Sequence, residues 1–201
     1  QNVYIAYEYV PGRTLRDRLR AGELDDAAVL EVAAQILDGL AHAHRHGIVH
    51  RDVKPTNVLV ADTSEISVKL LDFGLAQFAE AETLTAAGDV PGTLAYISPE
   101  RLAGEEASFG ADVWAVGVVL WEALAGYHPF WASSPIETAH RIEAGPPPLE
   151  SVRPDLPRQL TGAVGRATAV DPARRPSAVQ LADRLRAALE TRERKRSRAA
   201  R

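Results

Sequence analysis

The stretch ADVWAVGVVLWEAL, residues 111–124, constrains the fold more than any other part of the sequence. Its residues are apolar on nearly every side of a helix, and a helix of that kind is stable only when other elements surround it. Gly126 follows, and glycine is a typical residue at a helix end. We therefore predict a buried helix over 111–124.

Composition places the chain among ordinary globular proteins. It has 201 residues, 46% hydrophobic and 25% charged, with a formal net charge of −4, which excludes a disordered, collagen-like or coiled-coil protein. The length suits one domain or a large lobe of one. No uncharged apolar run reaches the roughly 18 residues that span a bilayer. No cysteine is present, which excludes disulfides, thiol catalysis and zinc–thiolate sites.

The remaining pattern predicts a mainly helical α+β fold. Apolar residues at helical spacing predict a long helix from Asp25 to His46, and capping boxes at Ser134 and Ser177 begin two more. Runs of β-branched and aromatic residues predict strands. The predicted strands are 3–10, ended by Pro11 and Gly12, and a hairpin from 58–60 and 66–71; a further helix is predicted over 158–169, and a long loop over 72–109.

The last eleven residues, 191–201, carry six basic residues and one acidic residue. They show no apolar periodicity, so we expect a basic, disordered tail. A frayed helix end is the plain alternative, and a polybasic segment near a membrane or a nucleic acid is another.

Four histidines, His42, His44, His46 and His50, lie two to four residues apart, a spacing that could suggest a metal site. No carboxylate or cysteine joins them locally, and a cation is favoured near a helix end in any case. We therefore interpret His50 as a packed loop histidine and do not predict a metal site here.

The segment HRDVKPTN, residues 50–57, carries the clearest chemistry. Asn57 and Asp72 stand at the two ends of the predicted hairpin, where they could share Mg²⁺, whose ligands are oxygen atoms completed by phosphate. Asp52 could orient a hydroxyl and accept its proton, and Lys54 could neutralise charge on a transferred phosphoryl group. On their own these residues would equally suit an ordinary turn.

Flanking motifs favour the catalytic interpretation. The sequence resembles the eukaryotic-like (Hanks-type) serine/threonine protein kinases of bacteria. The ordered motifs that carry the resemblance are HRDVKPTN, DFG at 72–74, GTLAYISPE at 92–100, DVWAVGVVLWEALAG at 112–126, HPF at 128–130 and DPARRPS at 171–177. The resemblance implies a protein-kinase-like fold, with residues 1–190 as hinge and C-terminal lobe and 191–201 as the tail.

The resemblance also implies a role for each residue of the motif. Asp52 corresponds to the catalytic aspartate, Lys54 to the phosphate-contacting lysine, and Asn57 and Asp72 to the Mg²⁺ ligands. Lys54 at its position favours serine and threonine over tyrosine as the phosphorylated residue.

Nucleotide contacts follow from the same resemblance. Leu59 would lie under the adenine ring, and Tyr7 falls at the gatekeeper position. Glu8, Tyr9 and Val10 form the implied hinge, where Glu8 and Val10 meet adenine. ATP and Mg²⁺ are thus the implied cofactors.

Structural and regulatory roles are also implied. Glu100 would pair with Arg175, Asp112 would hold the catalytic-loop backbone, and His50 and Phe73 would pack together.

Arg51 would pair with a phosphorylated Thr83 or Thr85, while Thr93 is a weaker phosphosite that faces the substrate pocket. The plain alternative is that both threonines are solvated loop residues.

One part of the family pattern has no counterpart in these residues. The glycine-rich phosphate loop, the VAIK lysine and its glutamate partner are not found, so we expect the N-terminal lobe to be absent and the isolated chain to be nearly inactive. The alternative is a non-catalytic binding or regulatory lobe; a small-molecule phosphotransferase is disfavoured by the SPE and HPF segments.

Expected partners are protein substrates and ATP, not nucleic acid. The expected location is the cytoplasm, and we expect contact with a membrane only through a longer parent protein.

Overall fold

The computed structural model describes residues 8–73 and 94–199. Its helices and strands follow in chain order. They are β1 (Gly12–Thr14), α1 (Leu15–Arg20), α2 (Asp26–Arg45), β2 (Val58–Ala61), β3 (Val68–Leu70), α3 (Pro99–Leu102), α4 (Phe109–Ala125), α5 (Pro135–Ala144), α6 (Leu149–Val152), α7 (Arg158–Ala167) and α8 (Ala178–Ala199), with 3₁₀ turns at Pro55–Asn57 and Pro172–Arg174.

Helix α4 is the predicted buried helix. Trp114 and Trp121 lie on it with exposures of 0% and 1%, and it contacts α2 and α7. Gly117 allows the close approach to α7, because a Cβ atom there would lie 2.8 Å from the Thr168 Cγ2 atom. Gly126 ends the helix in the left-handed conformation at φ 81°. The prediction for this helix is confirmed.

Helix α2 ends a few residues before the segment HRDVKPTN, residues 50–57. The Asp25 side chain caps its first turn by accepting a hydrogen bond from the Ala28 amide. Its apolar face, which includes Ile36, Leu37 and Leu40, is fully buried against the rest of the core. Gly47 follows the helix at φ 73°, so the boundaries agree with the predicted helix from Asp25 to His46.

A small antiparallel sheet of three strands, in the order β1-β2-β3, lies beside α2. The predicted hairpin is confirmed, with Val58 opposite Leu70 and Val60 opposite Val68. Helix α2 covers one part of its edge through Gln35, whose side-chain oxygen accepts from the Val68 amide at 3.0 Å.

The predicted first strand is wrong within the described residues. Residues 8–10 are not a strand, and the strand instead runs over Gly12–Thr14, past the Pro11-Gly12 pair that was expected to end it. The reason is packing: a Cβ atom at Gly12 would lie 2.5 Å from the Val60 carbonyl oxygen, so the missing side chain permits the pairing.

Two further boundaries differ from expectation. The predicted loop 72–109 contains α3, which begins at Pro99 after the N-cap Ser98, and residues 74–93 of it lie outside the described part. The tail predicted to be disordered from residue 191 continues α8 to Ala199. The physical reason is that arginine, lysine, glutamate and alanine are all good helix formers.

None of the helices described here is both long and apolar enough to cross a membrane.

Candidate active site

The segment HRDVKPTN, residues 50–57, lies between α2 and β2 and brings three predicted residues together. The Lys54 Nζ atom lies 2.7 Å from the Asp52 Oδ2 atom. The Asn57 side-chain amide donates to the same Oδ2 atom at 2.7 Å and to the Asp52 backbone carbonyl at 2.9 Å. Both side-chain contacts reach Oδ2, and neither of them uses the other carboxylate oxygen, Oδ1.

The Asn57 side chain is oriented so that its nitrogen donates to Asp52. Its side-chain oxygen is therefore the atom that it can offer to a cation. The 3₁₀ turn over Pro55–Asn57 sets this orientation. Proline stands at its first position, and the backbone N–H of Asn57 donates to the Lys54 carbonyl at 2.9 Å.

Asp112 on α4 holds the backbone just before Asp52. Its carboxylate is 1% exposed and accepts from the amides of His50 and Arg51, each at 2.9 Å. Arg51 adopts φ 73°, a left-handed conformation that costs a non-glycine residue on the order of 1 kcal/mol. The hydrogen bonds from the two backbone amides to Asp112 offset that cost, and the predicted role of Asp112 is confirmed.

His50 links the loop to the end of β3. The residue is fully buried; its Nδ1 atom accepts from the Asp52 amide at 3.3 Å, and its Nε2 atom donates to the Leu71 carbonyl at 3.0 Å. Burial lowers the pKa of His50 below its usual range, which keeps the ring neutral in this arrangement. Its ring contacts Phe73 at a centroid distance of 4.5 Å, as predicted.

Asp72 lies at the open end of the hairpin and directly follows Leu71, the residue that pairs with Asn57. The Leu71 amide donates to the Asn57 carbonyl at 2.9 Å, which fixes the two chain ends side by side. Asp72 is exposed and has φ 60°, so this end of the hairpin holds a second left-handed non-glycine residue. A carboxylate and an amide oxygen are hard ligands that suit Mg²⁺ when phosphate and water complete its shell.

The predicted nucleotide contacts are partly described. Leu59 is half-buried between the buried residues Val58 and Val60, so it occupies the opposite face of β2. Glu8 is exposed and Val10 is half-buried. The residues Tyr7, Thr83, Thr85 and Thr93 lie outside the described part of the chain.

Glu100 and Arg175 form the predicted ion pair. Arg175 reaches both carboxylate oxygens, at 2.6 and 2.7 Å. Its guanidinium also lies 5.0 Å from the centre of the Trp114 ring, so the pair connects α3 to α4.

A second charged cluster was not predicted. The Arg16 guanidinium on α1 donates to Glu122 of α4 at 2.6 Å, and the Tyr96 hydroxyl donates to the other oxygen of Glu122. Burial and the Glu122 carboxylate raise the pKa of Tyr96, so the phenol stays protonated. One signal was available: an acidic residue inside an apolar helix needs a partner.

A third contact, between His44 and Asp112, was also missed. The His44 Nε2 atom lies 2.8 Å from the Asp112 Oδ2 atom. The two residues stand 68 positions apart, and no local pattern relates them.

Comparisons with known proteins agree with this geometry. Residues 1–185 match the family described as Protein kinase domain. The chain is 41% identical over 174 residues to the serine/threonine-protein kinase PknL of Mycobacterium tuberculosis, covering 86% of this chain and 43% of PknL. It is 37% identical over 171 residues to the serine/threonine-protein kinase PrkC of Bacillus subtilis, covering 84% of this chain and 26% of PrkC.

A solved structure shares the fold. The crystal structure of the Rad53 kinase domain and SCD2 in complex with AMPPNP aligns with a TM-score of 0.71 at 29% identity, over 88% of this chain and 66% of that one. This chain spans less than half the length of the two curated relatives. The resemblance to bacterial Hanks-type kinases and the kinase-like fold are confirmed, and the chain belongs to the protein kinase family.

Proposed function

We propose that this chain forms the catalytic part of a serine/threonine protein kinase. The reaction transfers the γ-phosphoryl group of ATP to a serine or threonine hydroxyl of a protein substrate. The observation that carries the proposal is the contact of Lys54 and Asn57 with Asp52, each at 2.7 Å. The loop that holds these residues is hydrogen-bonded through its backbone to Asp112. The names of PknL and PrkC, both serine/threonine-protein kinases, support it.

In this proposal Asp52 orients the substrate hydroxyl and accepts its proton through Oδ1. The hydroxyl oxygen bonds to the γ-phosphorus as the bond to the bridging oxygen breaks, and ADP leaves. Lys54, beside Asp52, offsets negative charge on the transferred group. Asn57 and Asp72 would hold Mg²⁺, which when bound neutralises charge on the phosphates.

Nucleotide binding is proposed along β2 and the segment before β1. Leu59 would contact adenine from the strand, and Glu8 and Val10 would meet it through their backbone. The AMPPNP in the Rad53 crystal structure supports an ATP-type ligand, since AMPPNP is an ATP analogue.

We also propose that efficient transfer needs groups outside these motifs. The glycine-rich loop and the strand lysine of the kinase pattern do not occur in the 201 residues, and positioning of the phosphates supplies much of the rate in such reactions. We therefore expect the 201-residue chain alone to turn over little ATP. If the full-length protein also fails to transfer phosphate from ATP, the non-catalytic binding lobe is the better interpretation.

We also propose how the protein is regulated and where it is located. Arg51, next to Asp52, would bind a phosphate on Thr83 or Thr85, with Thr93 as a weaker candidate near the substrate pocket. The proposed location is the cytoplasm or the cytoplasmic face of a membrane.

The experiment is a phosphotransfer assay on the full-length protein that carries these residues. With Mg²⁺, labelled ATP and myelin basic protein, we expect label on serine and threonine. Asp52→Asn should lower the labelling rate by about 10²–10⁴-fold, while the control Asp183→Asn, on the exposed face of α8, should leave it unchanged. Absence of label with the unchanged protein, or full activity in Asp52→Asn, would refute the proposed reaction.

A further inference from the structure

Arg18 on α1 reaches back to the residue that follows β2. Its Nη2 atom lies 2.6 Å from the Asp62 Oδ1 atom and 3.5 Å from the Val60 carbonyl oxygen. The Arg18 side chain is 18% exposed, whereas that of Asp62 is 57% exposed. The Nη1 atom of Arg18 makes a longer contact with Glu23, at 3.4 Å. The shortest contact of the guanidinium is thus with Asp62, and it joins α1 to the end of β2.

Asp62 holds the chain with two different groups. Its carboxylate accepts from Arg18, and its backbone N–H donates to the Pro11 carbonyl at 3.0 Å. The preceding residue, Ala61, lies opposite Gly12 in the pairing of β2 with β1. Asp62 therefore connects α1 to the residues that precede β1.

The residues that precede β1 include the proposed adenine contacts Glu8 and Val10. In the described part of the chain, neither of them forms a hydrogen bond, and the first such bond after Val10 is the one from Asp62 to Pro11. Leu59, the third proposed contact, lies on β2. The distance between the two sides of the proposed adenine site therefore depends on the hydrogen bond between Asp62 and Pro11.

We infer that Arg18 is a positioning residue for nucleotide binding: by holding the Asp62 carboxylate, it keeps the Asp62 backbone N–H on the Pro11 carbonyl and fixes the residues before Pro11 beside β2. The effect on nucleotide rests on the proposed kinase function, whereas the effect on the Asp62 hydrogen bond is independent of it. A merely structural ion pair would instead lower the free energy of unfolding and leave nucleotide affinity unchanged.

The size of the effect follows from the exposure of the pair. Asp62 lies at the surface, where an ion pair contributes little because water and salt screen it. We therefore expect changes of about three- to fivefold in nucleotide affinity, not a loss of binding. Changes of that size require variants that isolate this one contact.

Three variants and one control isolate the contact. Arg18→Gln removes the charge, and its amide nitrogen takes the position of the arginine Nε atom, which does not reach Asp62. Asp62→Ala removes the acceptor and keeps the backbone N–H. The double variant completes a cycle that separates this pair from the Arg18 contact with Glu23. Arg20→Gln is the matched control, since Arg20 is exposed on the same helix.

The first measurement is hydrogen exchange of the Asp62 amide in the full-length protein under native conditions. In both single variants we expect this amide to exchange about three- to fivefold faster. The Ala61 amide, which donates to the Ser67 carbonyl of the hairpin at 2.9 Å, should not change. Equal acceleration of both amides would overturn the inference, because it would indicate general loosening of the sheet. Should Arg18→Gln fail to fold, Asp62→Ala, at the exposed end of β2, still decides the result.

The second measurement is the Kd for AMPPNP with Mg²⁺, together with kcat and KM for ATP with myelin basic protein. We expect Kd and KM to rise about three- to fivefold in each single variant and no further in the double variant, with kcat unchanged. Affinities equal to that of Arg20→Gln, additive losses in the double variant, or a loss in kcat alone would overturn the inference. If the unchanged protein binds no nucleotide, the proposed function fails, and the exchange rates still decide whether Arg18 holds Asp62 on Pro11.

Discussion

The Arg175 side chain makes five hydrogen bonds to α3, α4 and the turn after α7, and two of them form a paired contact with the Glu100 carboxylate. Its side chain is fully buried and that of Glu100 is 7% exposed. Such a pair stabilises a fold little relative to an apolar pair, but removing one partner leaves the other charged and buried.

Arg175→Leu should therefore cost about 3–5 kcal/mol of unfolding free energy. Urea denaturation followed by circular dichroism measures the loss. The control is Arg186→Leu, since Arg186 pairs with Asp38 on the surface and should cost under about 1 kcal/mol. Equal losses in the two variants would show that the Glu100 contact has no special role.

Two helical glycines differ in the space around them. A Cβ atom at Gly117 would lie 2.8 Å from Thr168 Cγ2 and 2.9 Å from Ala167 Cβ, whereas none of the described atoms comes within 4 Å at Gly165. Gly117→Ala should destabilise the fold by about 1–3 kcal/mol because α4 and α7 must separate. Gly165→Ala should be neutral or stabilise it by up to about 1 kcal/mol. Thermal unfolding of both variants tests the difference, and stabilisation by Gly117→Ala would disprove the close packing.

His128 predicts a loss of stability in acid. Burial lowers its pKa from 6.5 to about 4 in the folded protein, against the opposing pull of Glu122. The unfolded chain therefore binds a proton first as pH falls, so stability from this residue is intact above pH 6.5 and declines towards pH 4 by up to about 3 kcal/mol. His50, whose pKa is also lowered by burial, acts in the same direction.

The pH dependence of urea unfolding between pH 7 and 4 measures this decline. In His128→Phe it should become shallower, while His140→Phe, an exposed substitution on α5, should leave it unchanged. Identical slopes in both variants would mean that His128 does not titrate as inferred.

The five longer helices were predictable because their signals are local, whereas the short helices α1, α3 and α6 were not predicted. Helix α2 has an N-cap, a periodic face and a terminal glycine within one window, and α4 is apolar on all sides. Glu100–Arg175 and the role of Asp112 followed only from the family resemblance.

The contacts that were missed join distant parts of the chain. Arg16 meets Glu122 across 106 positions, and His44 meets Asp112 across 68. The misplaced first strand has a similar cause. In the sequence Gly12 indicates a strand end, whereas in the structure it allows close pairing with Val60, a residue distant in the chain.

Regulation by phosphorylation is testable although Thr83 and Thr85 lie outside the described residues. We expect an active full-length protein to phosphorylate itself at one of them, with a gain in activity that Arg51→Ala removes, because a phosphate there would form charge-assisted hydrogen bonds with Arg51. Phosphosite mapping after incubation with Mg²⁺ and ATP identifies the site. Phosphate found only outside residues 80–93, or full activity in the Thr83→Ala/Thr85→Ala double variant, would end this proposal.

In the proposed function Asp52 acts on the substrate hydroxyl, whereas Asp72 acts on the metal. This division is tested most directly by titrating ATP with Mg²⁺ into the Asp52→Asn and Asp72→Asn variants of the full-length protein, alongside their phosphotransfer rates. Asp52→Asn should lower kcat by about 10²–10⁴-fold with ATP affinity largely kept, whereas Asp72→Asn should weaken nucleotide binding as well, because Asp72 would hold the metal. Equal loss of nucleotide binding in both variants would contradict the account.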